Sequence, residues 1–134
     1  MGTRSLTRIL DNDGQRFCSI YRHRDGYPTG HGQTLKNILE GIIIVDGMRS
    51  SYRKIANGID CLAATLIKEL KNGNGDIYLY HPDAQDVGED FIYTLRPDGL
   101  NRPVHLKVEE TDGNGCATKE LYNGSIEQFE PNLI

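Results

Sequence analysis

The sequence predicts an α+β fold, a mostly antiparallel β-sheet with two amphipathic helices packed on one face, and three observations predict it. Apolar residues recur with a helical period in two stretches of the first half, the period changes to two after Gly75, and turn-forming clusters separate the strand-like runs. Two strands, two helices and then four strands is the order of an α+β chain and not of alternating βαβ units. At 134 residues the chain fits one domain, 1–134, able to bury a core without staples.

Thr3 to Leu10 reads as the first strand, ended by Asp11-Asn12-Asp13-Gly14, a hairpin signal. Gln15 to Arg24 continues as the second, with Phe17, Ser19, Tyr21 and His23 on one face and Cys18, Ile20, Arg22 and Arg24 on the other. Residues 25–32 hold three Gly and a Pro and read as a loop. Leu35, Ile38, Leu39, Ile42 and Ile43 then form one stripe, predicting a helix over 33–44. A polar stretch from Asp46 to Gly58 carries Arg49, Arg53 and Lys54. Ile59, Leu62, Ala63, Leu66, Ile67 and Leu70 predict the second helix over 59–71, with Asn57 or Asp60 as its cap and Asn72-Gly73 as its stop. Asp76 to His81, Asp90 to Arg96, Val104 to Glu110 and Thr118 to Tyr122 read as strands, the last three joined as an antiparallel meander by Pro97-Asp98-Gly99 and Asp112-Gly113-Asn114-Gly115. Ser125 to Phe129 adds one helical turn.

Composition narrows the partners. The net charge of −4 divides unevenly: residues 1–54 hold nine Lys/Arg against five acids, and residues 55–134 hold six against fourteen. A basic half in an acidic chain points to local anion binding, whereas a duplex nucleic-acid binder is usually basic as a whole. Cys18, Cys61 and Cys116 form no CxxC pair and no disulfide framework, which predicts three free thiols in a reducing compartment. No run reaches the ~18 apolar residues of a membrane span. Met1-Gly2 opens like a myristoylation signal, but Leu6 stands where that pattern wants Ser or Thr. The expected location is the cytoplasm, with no membrane partner.

Tyr21 to Gly32 is the segment richest in chemistry. It brings two Arg, two His, two Tyr and an Asp together with glycines that let backbone N–H groups approach a ligand, ahead of a helix N-terminus. The expected ligand-binding set is Arg4, Tyr21, Arg22, His23, Arg24, Asp25, Tyr27, Gly30, His31 and Gly32, holding an anionic, nucleotide-like small molecule. Guanidinium groups clamp phosphates and tyrosines stack on bases. Strand alternation sends Arg22 and Arg24 to one side, toward an anion over the Gly30–Gly32 backbone, with His23 facing away. Neither GxxxxGK[ST] nor GxGxxG is present. Asp25-Gly26 and Tyr27-Pro28 also fit a purely structural loop. A third reading makes His23, Asp25 and His31 the machinery of a small hydrolase or nuclease, His23 as base and Asp25 as its orienter. No metal-ligand spacing and no cofactor motif occurs. His81 and His105 read as surface or half-buried sheet residues, and Asp83, Asp86, Glu89 and Asp90 as a solvated acidic loop lacking calcium-loop order. Ser5 and Ser19 lack the setting of a nucleophile, and Cys18 alternates with core positions.

The opening Gly2-Thr3-Arg4-Ser5, followed by Ile20-Tyr21-Arg22-His23 and Asp25-Gly26-Tyr27-Pro28 with Gly30 and Gly32, resembles a family of small bacterial and phage proteins that begin GTRS and carry a Y-x-H-[aromatic]-DGYP-x-G block. The resemblance covers residues 1–40; Phe91-Ile92-Tyr93 and Leu121 to Ser125 add only fragments. Arg24 stands where the family has an aromatic, which removes a base-stacking role at that position. The resemblance implies a phage accessory protein, acting in the host cytoplasm on a small ligand or as an inhibitor of a host protein.

Overall fold

The computed structural model describes residues 2–47 and 54–134 and shows the α+β architecture. Along the chain the elements are β1 (Ser5–Leu10), β2 (Arg16–Arg22), α1 (Gln33–Leu39), β3 (Ile43–Val45), β4 (Ile55–Asn57), α2 (Ile59–Leu70), β5 (Ile77–Tyr80), β6 (Phe91–Arg96), β7 (His105–Thr111) and β8 (Ala117–Ser125). Six strands form one sheet in the order β5-β2-β1-β6-β7-β8, and β3 pairs with β4 in a separate parallel ladder. Within the large sheet only β1 and β6 run parallel. That pairing joins the N-terminal hairpin to the C-terminal meander, and the helical segment supplies the long crossover that parallel neighbours require.

The hairpin turn is built by Asp11, whose Oδ1 accepts from the backbone N–H groups of Asp13 and Gln15 at 2.9 Å each. Ile9 pairs with Cys18 but Leu10 with Arg16, so Phe17 is an extra residue in β2. This bulge overturns the expected alternation at its first position. Phe17 packs with Cys18 against the helix-side core instead of sharing a face with Ser19 and Tyr21.

On that side, Ile9, Ile20, Tyr93, Leu95, Leu106 and Val108 of the sheet meet Leu35, Leu39, Leu62 and Leu66 of the helices, all buried. Each such aliphatic side chain contributes roughly 1.5–3 kcal/mol by leaving water. Leu39 is also where α1 stops. Glu40 is extended and Gly41 has φ +80°, so Ile42 and Ile43 leave the predicted 33–44 helix and the chain enters β3. Four consecutive β-branched residues, Ile42 to Val45, fit a strand better than another helical turn.

Helix α2 spans the predicted range, but its cap differs. Gly58 occupies the N-cap with no side-chain bond. Asn57 Oδ1 accepts instead from Gly47 N at 2.7 Å, and Asp60 Oδ1 from Cys61 N at 3.0 Å. Arg49 and Arg53 lie outside the described residues. Residues Pro28–Gly32, expected as loop, form a π-helical turn leading directly into α1.

The face of the sheet away from the helices is crossed by the connection from β5 to β6. Ser19 Oγ donates to Pro82 O at 2.9 Å, Arg8 reaches Ala84 O at 3.4 Å, and Asp90 Oδ2 accepts from Arg4 N at 3.0 Å. This corrects the reading of a solvated acidic loop at two of its four acids: Asp83 and Asp86 are exposed, but Glu89 is fully buried and accepts from Val87 N, and Asp90 is tied to Arg4. The strap covers the upper half of the open face and leaves the lower half bare. At the β5 edge, Lys71 Nζ donates to Ile77 O at 2.9 Å and Gly75 O at 3.1 Å, a lysine placed where an edge strand is otherwise open to pairing.

Candidate anion-binding site

The 21–32 segment is held together by its own chemistry. His31 is completely buried, with Nε2 at 2.7 Å from Thr7 Oγ1 and Nδ1 at 3.2 Å from the Arg22 guanidinium. Guanidinium only donates, so Nδ1 accepts and the proton sits on Nε2, which donates to Thr7. Burial, helped by the Arg22 charge, pulls the His31 pKa down to about 3, so the ring stays neutral. Tyr93, buried beside the ring, donates to Gly26 O at 2.7 Å. Three of the loop's own N–H groups are already used: Gly26 N donates to Thr3 O at 2.9 Å, Gly30 N to Tyr27 O at 2.9 Å and His31 N to Asp25 O at 2.7 Å.

The glycines here serve close packing. A Cβ on Gly26 would lie 2.7 Å from the Arg4 carbonyl carbon, one on Gly30 would lie 2.4 Å from Asp25 O, and one on Gly32 would press on the Phe129 ring at 3.2 Å. Arg4 contributes its backbone, with Asp90 N donating to its carbonyl at 2.8 Å.

Arg22 and Arg24 project to one side of the strand end. There both approach the Asp76 carboxylate, at 3.8 and 3.9 Å, in a cleft that Glu69 also lines. An acid therefore already occupies the position where these arginines would meet a ligand anion. His23 points to the other face, where its Nδ1 shares a hydrogen bond with Tyr21 OH at 3.0 Å, and burial raises the Tyr21 pKa. Asp25 Oδ1 accepts from Tyr27 OH at 3.2 Å. The side chains of His23, Asp25 and His31 thus have separate partners and share no hydrogen bond with one another, Asp25 and His31 being joined only through their backbones.

A second constellation lies on the bare lower half of the open sheet face. Arg8, Arg16, Arg96 and Lys107 line a groove of about 470 Å³ together with His105, Thr94 and Asn123. The single carboxylate in its lining is Glu109. Register explains the gathering: Arg8 lies opposite Thr94, Thr94 opposite Lys107 and Lys107 opposite Asn123, while Arg96 lies opposite His105 in the next row. His105 Nε2 bonds to Asn123 Oδ1.

Electrostatically the groove is unbalanced. Lys107 is shared between Glu109 at 3.6 Å and Glu120 at 3.9 Å. Among the described residues Arg8, Arg16 and Arg96 have no carboxylate within ion-pair distance. Arg8 is half-buried, and its Nε is enclosed with no hydrogen-bond partner. Burial, with the neighbouring Arg16 charge adding to it, lowers the Arg8 pKa, against the pull of Glu89 and Glu109. A crowded, half-desolvated guanidinium is costly alone and is relieved by an anion. Among the described residues no three His, Cys, Asp or Glu side chains are grouped to hold a metal ion.

The groove draws on residues far apart in sequence and lies outside the segment that the sequence marks as a site. The signals for it were present in part, because strict alternation puts Arg96 with Thr94, and His105 with Lys107, on common strand faces. Compared with protein-family models, curated proteins and solved structures, the chain matches none.

Proposed function

We propose that this protein is a non-enzymatic binding protein for a small anion carrying several charges, held in the groove formed by Arg8, Arg16, Arg96 and Lys107. The observation that carries this reading is Arg8, a half-buried guanidinium with an unpartnered Nε, set beside Arg16 in a chain whose net charge is −4. Concentrating cations in one groove of an acidic protein costs repulsion that a bound anion offsets. The nucleotide-like ligand expected at residues 22–32 keeps its anionic character in this reading, while its seat moves across the sheet. Asp76 between Arg22 and Arg24, and the internal bonding of the Gly30 and His31 N–H groups, argue for that move. The separate partners of His23, Asp25 and His31 favour binding over hydrolysis.

The test is calorimetric titration of the full chain with pyrophosphate at low salt, beside Arg8→Gln and Arg16→Gln variants. Arg16 is exposed, so its variant keeps the fold intact. A charge-assisted hydrogen bond contributes about 1.5–3 kcal/mol, so each variant should weaken binding roughly tenfold or more. Equal affinity in all three proteins would remove the groove from the function. Mass spectrometry of small molecules released by heating the purified protein should return an anion unchanged.

A further inference from the structure

The four cations of the groove come one each from four neighbouring strands. Arg16 is on β2, Arg8 on β1, Arg96 on β6 and Lys107 on β7, and these strands are adjacent in that order. They alternate between two rows, Arg8 and Lys107 in one, Arg16 and Arg96 in the other, so the positive charge runs as a staggered line. Three strand spacings separate its ends, about 14 Å at the backbone. A single phosphate meets one end or the middle of such a line and leaves the rest unpaired.

What lies between the cations is polar and uncharged. Thr94 sits directly between Arg8 and Lys107 in register, and His105 and Asn123 close the β7–β8 side. A hydroxyl, an imidazole and a carboxamide are the groups that recognise hydroxyls, each able to donate and accept. The lining contains no Phe, Tyr or Trp. Among the described residues the exposed tyrosines are Tyr27, in the Asp25–Gly32 turn, and Tyr78 and Tyr80, on β5 at the far side of β2, and none of them lines the groove. A nucleobase placed in the groove finds no Phe, Tyr or Trp ring to stack on, only the His105 imidazole that Asn123 already holds, and stacking on such rings is the usual sequence-tolerant source of base affinity.

We infer that the ligand of this groove is a phosphorylated sugar or polyol with at least two anionic groups separated by a hydroxylated body, an inference that rests on the anion-binding function proposed for the groove. The anionic groups engage the two ends of the cation line, Arg8 with Arg16 on one side and Arg96 with Lys107 on the other. The hydroxyls between them meet Thr94, His105 and Asn123.

Calorimetry of the full chain with four probes tests this: glucose bisphosphate, glucose monophosphate, tripolyphosphate and ATP. The bisphosphate should bind about tenfold or more tightly than the monophosphate, because the second phosphate gains its own charge-assisted bonds. Thr94→Val, close in shape but without the hydroxyl, should weaken the bisphosphate about threefold to tenfold and leave tripolyphosphate unchanged. Lys107→Gln should remove most of the advantage of the bisphosphate over the monophosphate. If ATP binds more tightly than the bisphosphate, or Thr94→Val leaves the bisphosphate untouched, the sugar-phosphate class is wrong while anion binding stands. If none of the four binds the wild-type chain, the anion-binding function itself falls. Thermal melts of each variant separate lost contacts from lost fold, and Arg16→Gln provides an exposed second probe of the same line.

Discussion

His31 Nε2 lies 2.7 Å from Thr7 Oγ1, so a neutral imidazole bridges the π-helical turn to the centre of the sheet. Thr7 is itself fully buried in β1, between Ile20 of β2 and Tyr93 of β6. The ring has no access to water and one nitrogen faces a cation, which is why its pKa falls from 6.5 to about 3. A group whose pKa is lower in the folded state contributes stability at high pH and loses it as pH falls. The unfolded chain takes up a proton below pH 6.5 that the folded chain declines until about pH 3. Between about pH 7.5 and 5.5 this one residue should cost roughly 1.4 kcal/mol of stability. Urea melts across that range read the slope. In His31→Gln the protein should be weaker at high pH, but its stability should depend less on pH.

The glycines of the Asp25–Gly32 turn should be as intolerant as a core position. Gly30→Ala places a methyl 2.4 Å from Asp25 O, and Gly26→Ala places one 2.7 Å from Arg4 backbone, where no flexible side chain can yield. Tyr93→Phe leaves Gly26 O buried without its donor, a loss of about 1–3 kcal/mol. Each should lower the melting temperature by several degrees. Gly14→Ala is the control: nothing lies near its missing Cβ, and only its positive φ opposes the change.

The elements were legible where local chemistry decides them. The Asp11 turn, the α2 stripe and the β6-β7-β8 meander follow from spacing alone, because each is closed by residues near in sequence. Helix α1 is shorter than its apolar stripe predicts because Ile42 and Ile43 satisfy a helical period as well as a strand, while the chain turns at Gly41, which has no side chain to add to either pattern. The 21–32 segment stands out in the sequence by its composition. Its density of Arg, His and Gly reflects a buried His31, a donating Arg22 and backbones packed too closely for any Cβ. The groove was illegible because it depends on β1 lying beside β6, a pairing between residues more than eighty positions apart. Arg8 becomes a neighbour of Thr94 and Lys107 only through that register.

The three cysteines should react at two rates. All are free, Cys61 and Cys116 are exposed, and Cys18 is half-buried with its thiol pushed up by desolvation. The thiolate is the reactive form, so burial and a raised pKa both slow Cys18. Titration with a thiol reagent on native protein near neutral pH should show two fast equivalents and one slow one. Denaturant should merge them into three. Cys18→Ser should remove the slow phase alone, and a slow phase that survives it would place the protected thiol elsewhere.

Arg22 should prove to be a folding residue and not a ligand residue. Its guanidinium donates to His31 Nδ1 at 3.2 Å and stands 3.8 Å from Asp76, with its side chain mostly enclosed. Arg22→Ala leaves a buried imidazole nitrogen without a donor, which should cost about 1–3 kcal/mol at about pH 8. It also removes the charge that helps depress the His31 pKa. The folded-state pKa then rises from its low value, the window in which only the unfolded chain is protonated narrows at its acid end, and stability falls less at that end than in the wild type, while the slope near pH 6.5 is kept. Arg24→Ala, on a side chain 70% exposed, should change stability by less than about 1 kcal/mol. Urea melts at several pH values measure both effects. Pyrophosphate titration of the same Arg22→Ala protein, kept below its melting point, should give wild-type affinity within about twofold, since the groove lies beyond the strap on another part of the sheet. A loss of tenfold or more there, with the fold intact, would return the binding site to the strand end beside Asp76.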